Sequence, residues 1–244
     1  MPIEPAPGNS TNNVRYDLLD ALRGLAVVMM MAFHFSFDLN LFGYVFLDFQ
    51  HDPFLLNWRV LIVSLFVGVA GASLALACSN GIRWRSFLRR EGILLACALL
   101  ISAASYAIFP QNWIFFGILH LILVASLLAL PFVRAGVPAL LTSIAAFALW
   151  ALFSHPLFDH PWLQWVGLMT HSPTTEDYAP LLPWFGVMLI GVFIGQHIRR
   201  IPVFRYPLQQ QLWAKPLLWL GRHSLLVYML HQPLFFTLFW MLTL

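Results

Sequence analysis

Residues 22–38, LRGLAVVMMMAFHFSFD, set an arginine, a histidine and an aspartate into an otherwise apolar run. Arg23 and His34 are eleven positions apart. At about 100° per residue a helix returns to within roughly 20° of the same face, about 16 Å further along. Asp38 follows His34 by four residues and Asp20 precedes Arg23 by three, extending the stripe both ways. Ionisable groups inside such a run are costly and face a bundle interior or a hydrated cavity. The plainer alternative is packing: Arg23 snorkels beside Asp20, and His34 bonds a neighbouring backbone.

Two more histidines sit inside apolar runs, His120 in FFGILHLI and His231 in LGRHSLLVYMLHQP. Imidazoles at a common depth serve either as metal ligands or as acids, bases and donors lining one wet cavity. No H-x-x-x-H pair accompanies them, so the expectation is acid–base chemistry and no metal. Arg83, Arg85, Arg89, Arg90, Arg199, Arg200 and Arg205 form a separate basic field. Guanidinium forks bind phosphate oxygens bidentately, which makes Arg23, Arg89, Arg90 and Arg199 candidate holders of a phosphorylated ligand. Ordinary topology signalling explains most of that field equally well.

The elements that must position these groups follow from composition. The 244 residues are 60% hydrophobic and 9% charged, with mean hydropathy +0.78. Soluble domains carry about a quarter charged residues, so the chain reads as an all-α polytopic membrane protein. A span needs about 20 apolar residues. Seven runs qualify, near 20–42, 58–79, 87–109, 113–133, 136–154, 181–198 and 216–240. The segment PWLQWVGLMTH (161–171) is too short to span and reads as interfacial or re-entrant. No small-residue cleavage site follows the first run, which is expected to stay as an anchor. Residues 1–14 read as a disordered tail ahead of one domain over 15–244. Cys78 and Cys97 fall in apolar stretches, so no disulfide framework is expected.

Of thirteen Lys and Arg, only Arg59 falls on the side of the loops that follow the odd-numbered runs. Arg15, Arg23, Arg134, Lys215 and Arg222 join the basic field on the other side. The positive-inside rule then puts the N-terminus in the cytoplasm and, with seven spans, the C-terminus outside. It also accounts for a pI near 9.1 without nucleic acid. The outer loops carry Asp48, His51 and Asp52, then His155, Asp159, His160, His171, Glu176 and Asp177.

LLDALRGLAVVMMMAFHFSFDLNLFG, FVGVAGASLAL, FFGILHLI, DYAPLLPWFGVMLIG and LGRHSLLVYMLHQP together resemble the heparan-α-glucosaminide N-acetyltransferase catalytic-domain family, in its small bacterial branch. The resemblance runs from about residue 14 to 240, and the arginine–histidine spacing is similar to the wider group of transmembrane acyltransferases. It implies a multi-pass enzyme of the inner membrane that moves an acetyl group from cytosolic acetyl-CoA to an extracytoplasmic sugar or glycan. In the animal branch a histidine in the loop after the first helix is catalytic, and an asparagine late in that helix supports it. Aligned on the RG pair the asparagine position is His34, and aligned through the loop the histidine position is His51. An acidic residue early in the second helix of that branch is missing here, where Val60 or a neighbour stands.

The expected machinery is therefore His34 and His51 as bases, with Asp38 or Asp52 orienting one of them. His120 and His231 line the cavity, and arginines hold the CoA phosphates. Histidine acts as acid–base or as a covalent acetyl carrier. A proton-coupled transporter and a non-catalytic cell-envelope partner protein are the alternatives, and a homo-oligomer is compatible with each. No repeat relates the halves of the chain, which counts against the transporter.

Overall fold

The computed structural model of the chain describes residues 16–175 and 177–242. The expected N-terminal tail, Arg15 and Glu176 lie outside them. Among the described residues the only regular elements are helices: α1 (Asp17–Leu41), α2 (Pro53–Ala77), α3 (Trp84–Ile108), α4 (Ile118–Ala129), α5 (Val137–Leu152), α6 (Leu181–His197), α7 (Lys215–Arg222) and α8 (Ser224–Leu242). Short 3-10 turns join several of them. Five stretches are long and apolar enough to cross a membrane: α1, α2, α3, Leu181–Arg200 and α8. Ile118–Phe132 and Val137–Leu152 occupy the fourth and fifth expected spans and are apolar but shorter.

Two expected elements differ in outline. The run near 216–240 is two helices, α7 and α8, parted at His223, whose N–H closes onto Trp219 and Leu220 carbonyls at 3.1 and 3.2 Å. α7 packs on α1, where Gly221 meets the Asp20 carbonyl and Gly24 meets that of Leu217 so closely that a Cβ on either glycine would overlap backbone. The fourth helix starts at Ile118 rather than 113, because Gly117 and the His120 ring cap it: the Gly117 N–H donates to His120 Nδ1 at 3.3 Å. The 161–171 segment holds one 3-10 turn, Gln164–Val166.

α2 and α6 form the centre. Apolar side chains gain nothing by leaving lipid for one another, so helices in a bilayer associate through small residues that let backbones touch. Here a Cβ on Gly191 would sit 2.1 Å from the Gly68 carbonyl, on Gly71 2.2 Å from that of Met188, and on Gly195 2.5 Å from that of Ala72. Gly191 and Gly195 are a G-x-x-x-G pair. The matches 68/191 and 72/195 rise together, so α2 and α6 run parallel. Val67, Leu121, Met188, Leu189 and Val192 fill the space around this crossing. α3 and α8 lie at the periphery and leave Leu99, Leu100, Leu234 and Leu238 exposed.

The ends of the bundle differ chemically. At one end Arg134 donates to the Cys78 and Ser79 carbonyls (3.2 Å from Nη2 to each), and Gln196 bridges Phe132 and Gly136. That ties the end of α2, the α4–α5 turn and the end of α6 to the arginine-bearing loops. At the other end the Ile118 N–H donates to Asp177 at 3.3 Å, and the Thr175 hydroxyl to the Trp113 carbonyl at 2.8 Å. Ile118–Phe132 thus joins the two ends. In the second end's long loop Asp159 accepts the Thr170 N–H at 2.8 Å and its hydroxyl at 2.7 Å. These bonds, the backbone one first, hold the Asp159 carboxyl below the usual carboxylate range.

Gly191→Ala should lower the thermal midpoint in detergent, since overpacking of this kind costs about 1–3 kcal/mol. Gly92→Ala, with nothing within 4 Å of the new Cβ, should leave it unchanged or raise it. Equal effects would contradict the crossing described. For Asp159, a depressed carboxylate adds stability above its unfolded value and loses it as pH falls through the folded one. Protection of the Thr170 amide in hydrogen exchange should therefore hold at neutral pH and disappear only below the ordinary carboxylate range.

Candidate functional site

α1 and α8 bring two of the expected histidines together. His34 Nδ1 and His231 Nε2 are 3.0 Å apart, with ring centroids at 4.9 Å. His231 Nδ1 lies 2.6 Å from the Tyr228 carbonyl oxygen, an acceptor only, so that nitrogen carries hydrogen. A neutral His231 then offers a bare Nε2, and His34 Nδ1 must donate to it. The consequence is a His34 ring whose Nε2 holds a free lone pair, the form a general base or nucleophile needs. Phe33 backs the pair and is itself packed edge-on against Phe49 and Trp58 at 5.4 and 5.7 Å.

One turn further along, Gln232 Nε2 donates to Asp38 Oδ1 at 2.7 Å, so α1 and α8 are joined by a second polar rung. Asp38 is fully buried, and among the described residues neither Asp38 Oδ2 nor Gln232 Oε1, both buried, has a hydrogen-bond donor. Asp38 is thus bonded to Gln232, and not to either histidine nitrogen.

Below the pair lies a cavity of about 420 Å³ lined by Arg23, Ser73, Arg90, Ile118, Arg222 and Tyr228 among others. Ser73 and Arg90 are shared with a neighbouring cavity of about 270 Å³ that Arg83 and Ser86 also line. Arg23 donates to Ser73 Oγ at 2.8 Å and pairs with Asp20 at 3.1 Å. Arg222 reaches Asp20 at 3.4 Å and Asp17 at 3.8 Å, and Arg90 pairs with Glu91 at 2.5 Å. The lining guanidiniums are therefore already partnered, and an anion entering here shares them with carboxylates rather than meeting bare cations.

The remaining candidates stand elsewhere. His120 is the capping residue of α4, and its Nε2 bonds Ser102 Oγ at 3.2 Å; it is not in the cavity wall. Asp52 caps α2, accepting the Phe54 N–H at 2.7 Å. His51 is in the exposed loop between α1 and α2, its Nδ1 2.9 Å from Asp48 Oδ2. The Asp48 carboxyl is held below its usual range, first by the Gln50 N–H. Arg89 and Arg199 are exposed and do not line either cavity. Tyr228, Gln232, Ser73 and Arg222 belong to the site without having been singled out. Tyr228 and Gln232 flank His231 inside a stretch already conspicuous for its polar residues, while Arg222 was absorbed into the topology count.

Nitrogen-15 NMR of histidine-labelled protein should find His231 protonated on Nδ1 and His120 on Nε2, with a third, His34, bearing hydrogen on Nδ1. Observation of Nε2–H on neutral His231 would contradict the pairing. His231→Phe should free His34 from this constraint and change its tautomer signals while leaving those of His120 in place.

Comparison with known proteins bears on this arrangement. The family described as "Heparan-alpha-glucosaminide N-acetyltransferase, catalytic" matches residues 15–233. No curated protein and no solved structure matches the chain. The matched stretch contains α1 through the first half of α8, and with it the histidine pair and the cavity; the chain belongs to the heparan-alpha-glucosaminide N-acetyltransferase catalytic family.

Proposed function

We propose that the protein is a membrane acetyltransferase that takes the acetyl group of acetyl-CoA from the cytosol and passes it to a sugar or glycan amine or hydroxyl on the far side. The observation that carries the proposal is the polar path itself. An arginine-rimmed cavity ends at Tyr228, whose carbonyl oxygen holds His231, which in turn engages His34. The family's own description supplies the reaction class.

In this reading the basic end of the bundle is cytoplasmic, in the inner membrane, and seven helices cross it. The parallel course of α2 and α6, with Ile118–Phe132 joining the same two ends, supports four reversals and three intervening crossings between them. Arg23, Arg90 and Arg222 attract the CoA phosphates, and Arg89 and Arg199 add to the field at that face. His34 Nε2 removes the proton from the attacking amine or hydroxyl, and His231 fixes its tautomer. Asp38 with Gln232 holds α1 against α8 so that the two rings stay in register. His51, beside Asp48, is the imidazole available to an acceptor arriving at the outer loop.

With labelled acetyl-CoA and the protein in nanodiscs, His34→Ala should lower turnover by roughly 10²–10⁴-fold, the usual worth of a positioned base. His51→Ala should raise the acceptor KM more than it lowers kcat. Arg90→Gln should weaken acetyl-CoA binding by roughly tenfold or more, through loss of a charge-assisted contact, and the wild-type affinity should fall with salt. Unchanged label transfer in both histidine variants removes those residues from the chemistry. Substrate-driven proton flux without CoA affinity would instead favour a transporter.

A further inference from the structure

Tyr228 stands where the cavity meets the histidine pair, and nothing described so far uses its hydroxyl. The residue lines the larger cavity, and its ring lies 5.6 Å from that of His231. Its backbone carbonyl is committed to His231 Nδ1. Among the described residues no group hydrogen-bonds the phenol, and its oxygen is not among the sealed, unpartnered atoms. Asp177, approaching from the outer loop, is an electrostatic neighbour of the ring's hydroxyl. The same carboxylate accepts the N–H of Ile118, another residue of the cavity wall. The hydroxyl is therefore at the outer limit of the cavity, on the histidine side, while Arg23, Arg90 and Arg222 are tied to carboxylates. A partly buried phenol keeps an apolar body in the wall and offers its O–H to whatever acceptor arrives.

We propose that the Tyr228 hydroxyl is the hydrogen-bond donor to the thioester carbonyl oxygen of the bound acyl donor. This rests on the acyl-transfer reading above and adds to it the residue that stabilises the developing oxyanion. In the addition step the acceptor nitrogen or oxygen forms a bond to the thioester carbon. The carbonyl π pair moves onto oxygen, and His34 Nε2 takes the acceptor's proton. The Tyr228 O–H donates to the oxyanion without giving up its hydrogen. On collapse the carbonyl re-forms and the C–S bond breaks with its electron pair on sulfur. The proton on His34 passes to the thiolate, so free CoA thiol leaves and no further reagent is needed. A donor of this kind, fixed before the reaction, acts on the transition state more than on the bound thioester.

Isotope-edited infrared spectroscopy of acetyl-CoA labelled at the carbonyl carbon, bound to the full chain in nanodiscs, tests the contact without needing the natural acceptor. The bound C=O stretch of the wild type should lie below that of the thioester in an aprotic solvent. Tyr228→Phe, which keeps the ring against His231, should return it upward while acetyl-CoA affinity stays within a fewfold. In the labelled-acetyl assay the same variant should lose roughly 10²–10³ in kcat with little change in KM, the range for one oxyanion donor. A wild-type carbonyl with no downward shift overturns the proposal by itself, even if the variant does not fold. A shift that survives in Tyr228→Phe, or an unchanged kcat, also overturns it and leaves the acyltransferase reading standing. Wild-type protein with no affinity for acetyl-CoA sinks both.

Discussion

The contact between His34 and His231 is the constraint on which the site depends. Two imidazoles in an apolar bundle need hydrogen-bond partners; each ring has a backbone one on its own helix, Met30 for His34 and Tyr228 for His231, and the two rings meet each other across the helices. The Tyr228 carbonyl decides which nitrogen of His231 carries hydrogen, and that choice propagates through the 3.0 Å contact to His34. A backbone oxygen on α8 is thereby linked to which nitrogen of a ring on α1 carries the lone pair. This is the usual logic of an oriented histidine, with a carbonyl and a second imidazole in place of a carboxylate.

The pair exists because α1 is held from two sides. The small residues at the α1–α7 crossing bring Gly24 against Leu217 and Gly221 against Asp20. The break at His223 then lets α8 continue alongside the outer half of α1. At the centre, the backbone-to-backbone approach of α2 and α6 gives the cavity a firm wall, since residues such as Phe66, Ala70 and Ser73 come from the helix that this crossing immobilises.

Electrostatics at the cavity mouth are more balanced than a count of arginines suggests. Asp17, Asp20 and Glu91 partner Arg23, Arg222 and Arg90. Pairing keeps these guanidiniums oriented and limits the cost of burying them. The outer loop follows a different economy: Asp159, His155 and His160 accept backbone N–H groups close by, and so shape the loop itself.

Much of this was legible in the chain. Hydropathy and low charge determined an all-helical membrane protein, alternation of basic and acidic loops sorted the two ends, and the eleven-residue interval placed Arg23 and His34 on one stripe. The quoted motifs pointed to the family because they are local strings in a particular order. What only the tertiary structure decided is which polar groups meet. His34, His120 and His231 looked equivalent by depth, yet His120 spends its ring on capping α4, while His34 and His231 bond across 197 positions of sequence. Asp38 went to Gln232, and Asp52 to the first turn of α2. Periodicity reports the face of one helix; partner choice depends on the rotation and offset between two, which here follow from glycine contacts whose geometry no single segment contains.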